Sequence, residues 1–353
     1  MKVLLCVTYS LALVLGFSQE NYALDTEFTG NSNLLFDQED IKHTQNLAVD
    51  QDRTSIAQDD QALHMQIVDL LDDEDRNVTR AIPEKAARLG LTILSNDISR
   101  AKLRDALEAK GPFTLFGPTN QAFRAMPDLA KEALKDSRVL AKYLKFHVVK
   151  DELRSGQLNN DDLAETLLGT KLRVNIYKHG KNVIATAQCA PIDLARVDNN
   201  ATNGVIHVLN GVIIPPDGNA VTALAGHREF GTLVKAVQAA GLVPKLSGDG
   251  PFTVFAPTND AFGKLPPGTL HKLLKNPVEL AKILKYHVVA GTYCSRGIVS
   301  GEVTTVEGQD VKIKVTADGV TVNNAKVIQA DLSITNGVVH GIDTVLLPPV
   351  FYL

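Results

Sequence analysis

The chain has 353 residues, of which 44% are hydrophobic and 22% charged, with a formal net charge of −4. That is enough apolar material for about two globular domains, and the balance of charge gives no reason to expect a nucleic-acid partner. The charge is unevenly spread: residues 19–80 hold 15 Asp and Glu against 4 Lys and Arg, whereas residues 81–353 hold 25 against 31.

The first eighteen residues, MKVLLCVTYSLALVLGFS, combine one lysine, two short apolar runs and small residues at Gly16 and Ser18. This pattern predicts a secretory signal peptide over 1–18, too short for a membrane span, with cleavage before Gln19. The expected location is therefore extracellular, in the matrix or free. No later window approaches the roughly 18 uninterrupted apolar residues of a membrane helix, so no span is expected. Residues 19–80 are rich in Asp, Asn, Gln and Ser, and predict an acidic, mostly disordered leader. Leu63, Ile67, Leu70 and Leu71 fall on one helical face within it. It suits a solvated spacer or a segment that attracts calcium, mineral or basic protein surface.

Beyond residue 80 the chain repeats itself. GPFTLFGPTNQAF at 111–123 returns as GPFTVFAPTNDAF at 250–262, LAKYLKFHVV at 140–149 as LAKILKYHVV at 280–289, and NGVIHVLNGVIIPP at 203–216 as NGVVHGIDTVLLPP at 336–349. The order is kept, which predicts two copies of one domain, over 81–217 and 218–350. In each copy an apolar run, Phe113 to Phe116 or Phe252 to Phe255, reads as a buried strand ending at Pro-Thr-Asn. Thr119 or Asn120, and Thr258 or Asn259, are placed to cap the helix that follows. Apolar stripes then predict helices through Leu129, Ala133 and Leu134 and through Val139, Leu140 and Leu144. In copy two the equivalents are Leu270, Leu273 and Leu274, then Leu280, Ile283 and Leu284 after a break at Asn276-Pro277. Hairpins are expected at Gly180 and at Asp318-Gly319. A strand bearing His207 or His340 and a double proline close each copy. The expected fold class is α+β, with helices packed on a small antiparallel β-core.

Cys6 leaves with the signal, so Cys189 and Cys294 are the cysteines of the mature chain. They lie at non-matching positions in different copies. One inter-copy bridge, two free thiols or a link to another chain all remain open.

The three recurring blocks, FTxFxPTNxAF, YHVV and TNGVxH, resemble those of the fasciclin family of extracellular adhesion domains, over residues 81–350 in both copies. The resemblance implies two tandem fasciclin-like domains, each a wedge-shaped β-sandwich with attached helices, in a secreted protein of cell adhesion or matrix assembly. It also implies integrin-like receptors or matrix proteins such as collagen as partners. Two short receptor-recognition patterns of the family map onto this chain. The tyrosine-histidine pair is Tyr286-His287 in copy two and Phe146-His147 in copy one. The acidic-aliphatic pair is Asp331-Leu332 in copy two, where copy one has Asp198-Asn199. A carboxylate beside an aliphatic side chain suits a receptor whose metal ion it can complete. Copy two is the better candidate on both counts, and the chain holds no Arg-Gly-Asp.

Structural roles compete with each of these. Tyr286, Phe146, His147 and His287 sit where helix passes into strand and suit core packing; Asp331 suits a turn cap; His207 and His340, in apolar strands, suit the core better than a metal. Asn77 and Asn200 begin Asn-x-Thr acceptor patterns for N-glycosylation. No Gly-x-Ser-x-Gly, His-Glu-x-x-His or phosphate loop occurs, so neither catalysis nor a cofactor or metal is expected. Two other roles fit the composition: an acidic scaffold binding calcium or mineral through the leader, and a glycosaminoglycan or lipid binder using the basic repeats.

Overall fold

The computed structural model describes residues 80–349; the signal segment, the acidic leader with Asn77, and residues 350–353 lie outside the described residues. Copy one opens with three short helices, α1 (Ile82–Arg88), α2 (Thr92–Arg100) and α3 (Arg104–Glu108), which the repeated phrases did not announce. Their apolar side, with Ile82, Ala86, Leu94, Ile98 and Leu107, is fully buried. Then come β1 (Phe113–Pro118), α4 (Asn120–Arg124), α5 (Asp128–Ala133), α6 (Ser137–Phe146) and β2 (Val148–Val149). A hairpin layer follows, made of β3 (Asp162–Glu165), β4 (Lys171–His179), β5 (Asn182–Ala187) and β6 (Ala190–Pro191), and β7 (Asn199–Ala201) and β8 (Gly204–Leu209) complete the copy.

Copy two repeats the plan: α7 (Ala220–Gly226), α8 (Gly231–Ala239), α9 (Val243–Leu246), β9 (Phe252–Pro257), α10 (Asn259–Gly263), α11 (Thr269–Leu274), α12 (Pro277–Tyr286) and β10 (Val288–Ala290). The strands β11 (Gly301–Thr304), β12 (Asp310–Thr316), β13 (Gly319–Val322), β14 (Ala325–Ile334) and β15 (Gly337–Ile342) follow.

The repeated phrase earns its composition at β1 and β9. Each is sandwiched on both faces, so consecutive rather than alternate positions are buried and apolar, with Thr114 and Thr253 the exceptions, their hydroxyls bonded to backbone. Leu115 faces the helices with Leu94 and Leu144, and its neighbour Phe116 faces the hairpin layer with Val174 and Ala187. Val254 and Phe255 divide in the same way. The expected antiparallel core is corrected here: β1 pairs with β8 in parallel, Phe113 beside Gly204 through Pro118 beside Leu209, and β9 pairs with β15 likewise. A parallel pair needs a long crossover, and the intervening helices and hairpin layer supply it. The sheets run β2-β1-β8-β7 and β3-β4-β5-β6 in copy one; in copy two the ten residues of β14 run through both layers, giving one seven-stranded sheet.

Thr119 and Thr258 are the helix caps, accepting from the amides of Ala122 and Ala261. The asparagines beside them lace the turn to the preceding helices: Asn120 accepts from Ile93 N and donates to Gly90 O, and Asn259 accepts from Thr232 N and donates to Arg228 O. The closing Asn-Gly has an equally local cause. Asn336 accepts from Ala220 N and donates to the carbonyls of Leu246 and Gly248. Gly337 lies at φ 145°, where a Cβ would stand 1.8 Å from the carbonyl oxygen of Phe252. Of the two hairpins, β4–β5 turns at Gly180, while β12–β13 closes with Thr316 opposite Gly319, one residue earlier than expected.

Candidate binding cleft between the repeats

The tyrosine-histidine candidates are core residues. Phe146, His147, Tyr286 and His287 are each at most 1% exposed. The Tyr286 hydroxyl donates to Asp310 O and accepts from Asn323 Nδ2, which ties α12 to the far strands of its sheet. His147 ends α6, donating from Nδ1 to Tyr143 O (2.9 Å) and accepting at Nε2 from Ile213 N (3.1 Å). His287 does the same with Ile283 O (2.8 Å) and Leu346 N (2.9 Å). A carbonyl only accepts and an amide only donates, so both rings are neutral with the proton on Nδ1. Burial pushes each pKa down to about 4, against a smaller upward pull from the carbonyl bond. A side chain so placed offers no surface to a partner, and the expectation of receptor contact at Tyr286, His287, Phe146 and His147 is corrected to a packing role.

His207 and His340 are also buried, in the other tautomer. Nε2 donates to Leu153 O or Tyr293 O, and Nδ1 accepts from the backbone amide of Asp198 or Asp331. Those aspartates sit in the left-handed region, at φ 53° and 61°. Asp198 takes the amide of Ser155 (2.9 Å) and its hydroxyl, and Asp331 the amide of Ser295 (2.7 Å) and its hydroxyl. Partial burial pushes the Asp198 carboxyl up, and the Ser155 hydrogen bonds outweigh it, so its net direction is downward. Both aspartates remain partly exposed, whereas Leu332 is 8% exposed. Asn200 is exposed on β7, where its Oδ1 accepts from Arg154 Nη1 at 2.5 Å.

Of the alternatives open for the cysteines, the structure forms the inter-copy bridge, Cys189 to Cys294, with Cα atoms 5.2 Å apart. Around it copy one presents the outer face of β4 and β5 to copy two. Tyr177 donates to Thr292 O and accepts from Cys294 N, both at 2.9 Å, and its ring covers Gly297 so closely that a Cβ there would lie 2.3 Å from it. His179 Nε2 meets Gly297 O at 3.1 Å, and Gln188 donates to Ser333 Oγ at 2.8 Å. Arg173 lies buried in this seam, paired with Asp161 at 3.3 Å. Asp331 comes within 4.8 Å of both cysteine sulfurs, but these are bonded to each other and offer no thiolate to a metal.

Beside the bridge a cleft of about 290 Å³ opens between the copies. Met126, Tyr143 and Ile214 of copy one give it an apolar wall; Pro215, Pro216 and Asp217 cross its end; His227, Asp331 and Leu332 of copy two face them. The structure thus joins the Asp331-Leu332 candidate to side chains of the first copy, Met126 to Ile214, and separates it from Tyr286-His287. No single stretch of sequence carries that wall; the cysteine pair was its one legible signal.

Two α+β domains clamped together around a shared cleft define the class, a tandem domain pair. The chain belongs to the fasciclin family: the model described as Fasciclin domain matches it twice, at 89–215 and 228–348. It is 34% identical over 251 residues to transforming growth factor-beta-induced protein ig-h3 of Sus scrofa, covering 70% of this chain and 36% of that protein. It is 32% identical over 266 residues to periostin of Homo sapiens, covering 74% and 31%. The chain spans about a third of the length of these curated relatives. A solved FAS1 domain pair from the insect cell adhesion molecule fasciclin I aligns at TM-score 0.38 and 21% identity, over 73% of this chain and 97% of that one. Family membership supports a role in cell adhesion or matrix in general. Among the described residues no helix is long and apolar enough to cross a membrane.

Proposed function

We propose that this chain is a secreted, non-catalytic adhesive or matrix protein whose two domains act as one binding unit. The inter-copy cleft and its Asp331-Leu332 wall are the contact for an integrin-like receptor or a matrix protein such as collagen. The observation that carries this reading is the joint construction of the cleft: both copies line it, and a disulfide fixes their relation. Asp331 is the one copy-two candidate with both an acidic group and open surface. To complete a receptor's metal ion its carboxylate would have to leave Ser295, an exchange of two hydrogen bonds for a metal bond.

The test is attachment of cells to the purified protein, with and without a divalent-cation chelator. Asp331→Ala is expected to abolish attachment and the chelator to mimic it, whereas Tyr286→Phe, a change inside the core, leaves attachment intact. Attachment that survives Asp331→Ala in a folded protein would remove the cleft wall from the receptor surface.

A further inference from the structure

The two copies use one sheet face in different ways. In copy one the outward residues of β4, Arg173, Asn175 and Tyr177, are buried; Arg173 and Tyr177 bond across to copy two, and Asn175 bonds to Asn160 and Asp161 of its own copy. When the buried pair Leu172 and Val174 is matched to Val311 and Ile313, the same positions on β12 hold Lys312, Lys314 and Thr316, all exposed. Register extends this face: Lys314 stands opposite Thr321 on β13, and Thr321 opposite Lys326 on β14. Directly opposed residues share a face, so the three lysines project together from one side of the sheet. Strand spacing places Lys314 and Lys326 about 10 Å apart, and Lys312 about 7 Å along the strand from Lys314. Among the described residues none of the three is paired with a carboxylate, whereas nearby Lys264 is paired with Asp343 at 3.2 Å.

We propose that this face of copy two, centred on Lys312, Lys314 and Lys326, binds a sulfated glycosaminoglycan. The same face in copy one is a docking surface, so its shape admits a partner. Its replacements decide which kind. The aromatic anchor Tyr177 has become Thr316, and a protein interface that loses its buried aromatic loses the residue type that dominates binding energy. What replaces it is a row of unpaired ammonium groups, which holds a linear polyanion through several charge-assisted contacts without deep packing. Glu302, opposite Lys312, and Asp310 lie toward the β11 edge of this face and bias the polymer track toward β14.

This binding is separate from the cleft, so either site can fail without the other. The experiment measures the affinity of the full chain for heparin oligosaccharides across a salt series. Lys312→Ala/Lys314→Ala/Lys326→Ala is compared with Lys272→Ala/Lys275→Ala/Lys282→Ala, which removes equal charge from the α11–α12 surface. The expected results are wild-type binding that weakens with salt, a loss of tenfold or more in the sheet variant, little change in the helix variant, and tighter binding in Glu302→Gln. No binding by the wild type, or an equal loss in both triple variants, overturns the proposal. So does tighter binding of an unsulfated poly-glutamate than of heparin, which would make the partner an acidic protein segment.

Discussion

Lowering the pH from 7 to 5 tests the two buried imidazoles, because each holds a structural amide on a nitrogen that must stay unprotonated. In the unfolded chain such a ring titrates near 6.5, and in the fold near 4. Between those values the unfolded state binds more protons. Stability from each ring is therefore complete above pH 6.5, declines as the pH falls, and is fully lost once the pH passes below about 4. Integrating between pH 7 and 5 gives a loss of about 2 kcal/mol per ring, about 4 kcal/mol for His147 and His287 together. His207, pushed down chiefly by burial, acts in the same direction. The carboxyls held below their usual range, among them Asp198 and Asp343, come into play at lower pH and leave this window to the imidazoles. The chain has no tryptophan, so urea unfolding is best followed by circular dichroism. A clear drop in midpoint from pH 7 to 5 is expected. An unchanged midpoint, or ring resonances of His147 and His287 titrating near 6.5 in the folded protein, would refute the reasoning.

Three further outcomes follow from the packing. Gly297→Ala drives a Cβ into the Tyr177 ring and should cost about 1–3 kcal/mol; thermal melts should show a much smaller cost in a Tyr177→Ala background, since the clash needs both partners. Cys189→Ala/Cys294→Ala opens a bridge that spans 105 residues of sequence, and chain entropy puts its loss at about 4–5 kcal/mol if both domains unfold together. A denaturation midpoint equal to the wild type's would mean that the domains unfold separately. Asn336→Ala strands the amide of Ala220 and the carbonyls of Leu246 and Gly248 in buried surroundings, for about 3 kcal/mol. Urea unfolding checks this, and Asn203→Ala in copy one, which breaks the equivalent bonds to Ile82, Leu107 and Ala109 at a more exposed site, should cost less.

The repeated phrases made the duplication, the buried strands, a helix cap at each Thr-Asn and the helix break at Asn276 legible, because each has a local cause written within a few residues. The parallel pairing of β1 with β8 was not legible, since it depends on a crossover of about 90 residues and leaves no trace in either strand. The helices α1 to α3 escaped for a related reason: they fall outside the duplicated phrases, and their burial depends on partners far along the chain. Tyr286 and His287 show a limit of another kind. A histidine at a helix end reads the same whether it meets a receptor or a backbone amide, and only the positions of Ile283 and Leu346 decide between them. The cleft was the least visible feature, because its two walls come from separate copies.

The seam between the copies also has a direction. What locks it are Tyr177 and Cys189 on the first copy and Gly297 and Cys294 on the second. At the matching outer positions the chain has Thr316 and Asn324 at one end and Gln157 and Arg154 at the other. A head-to-tail contact between like units would otherwise generate an open-ended filament, since nothing in its geometry closes it. Here the outer faces of the pair lack both the tyrosine knob and the glycine socket, so the lock that joins the two domains is not repeated on either side of them.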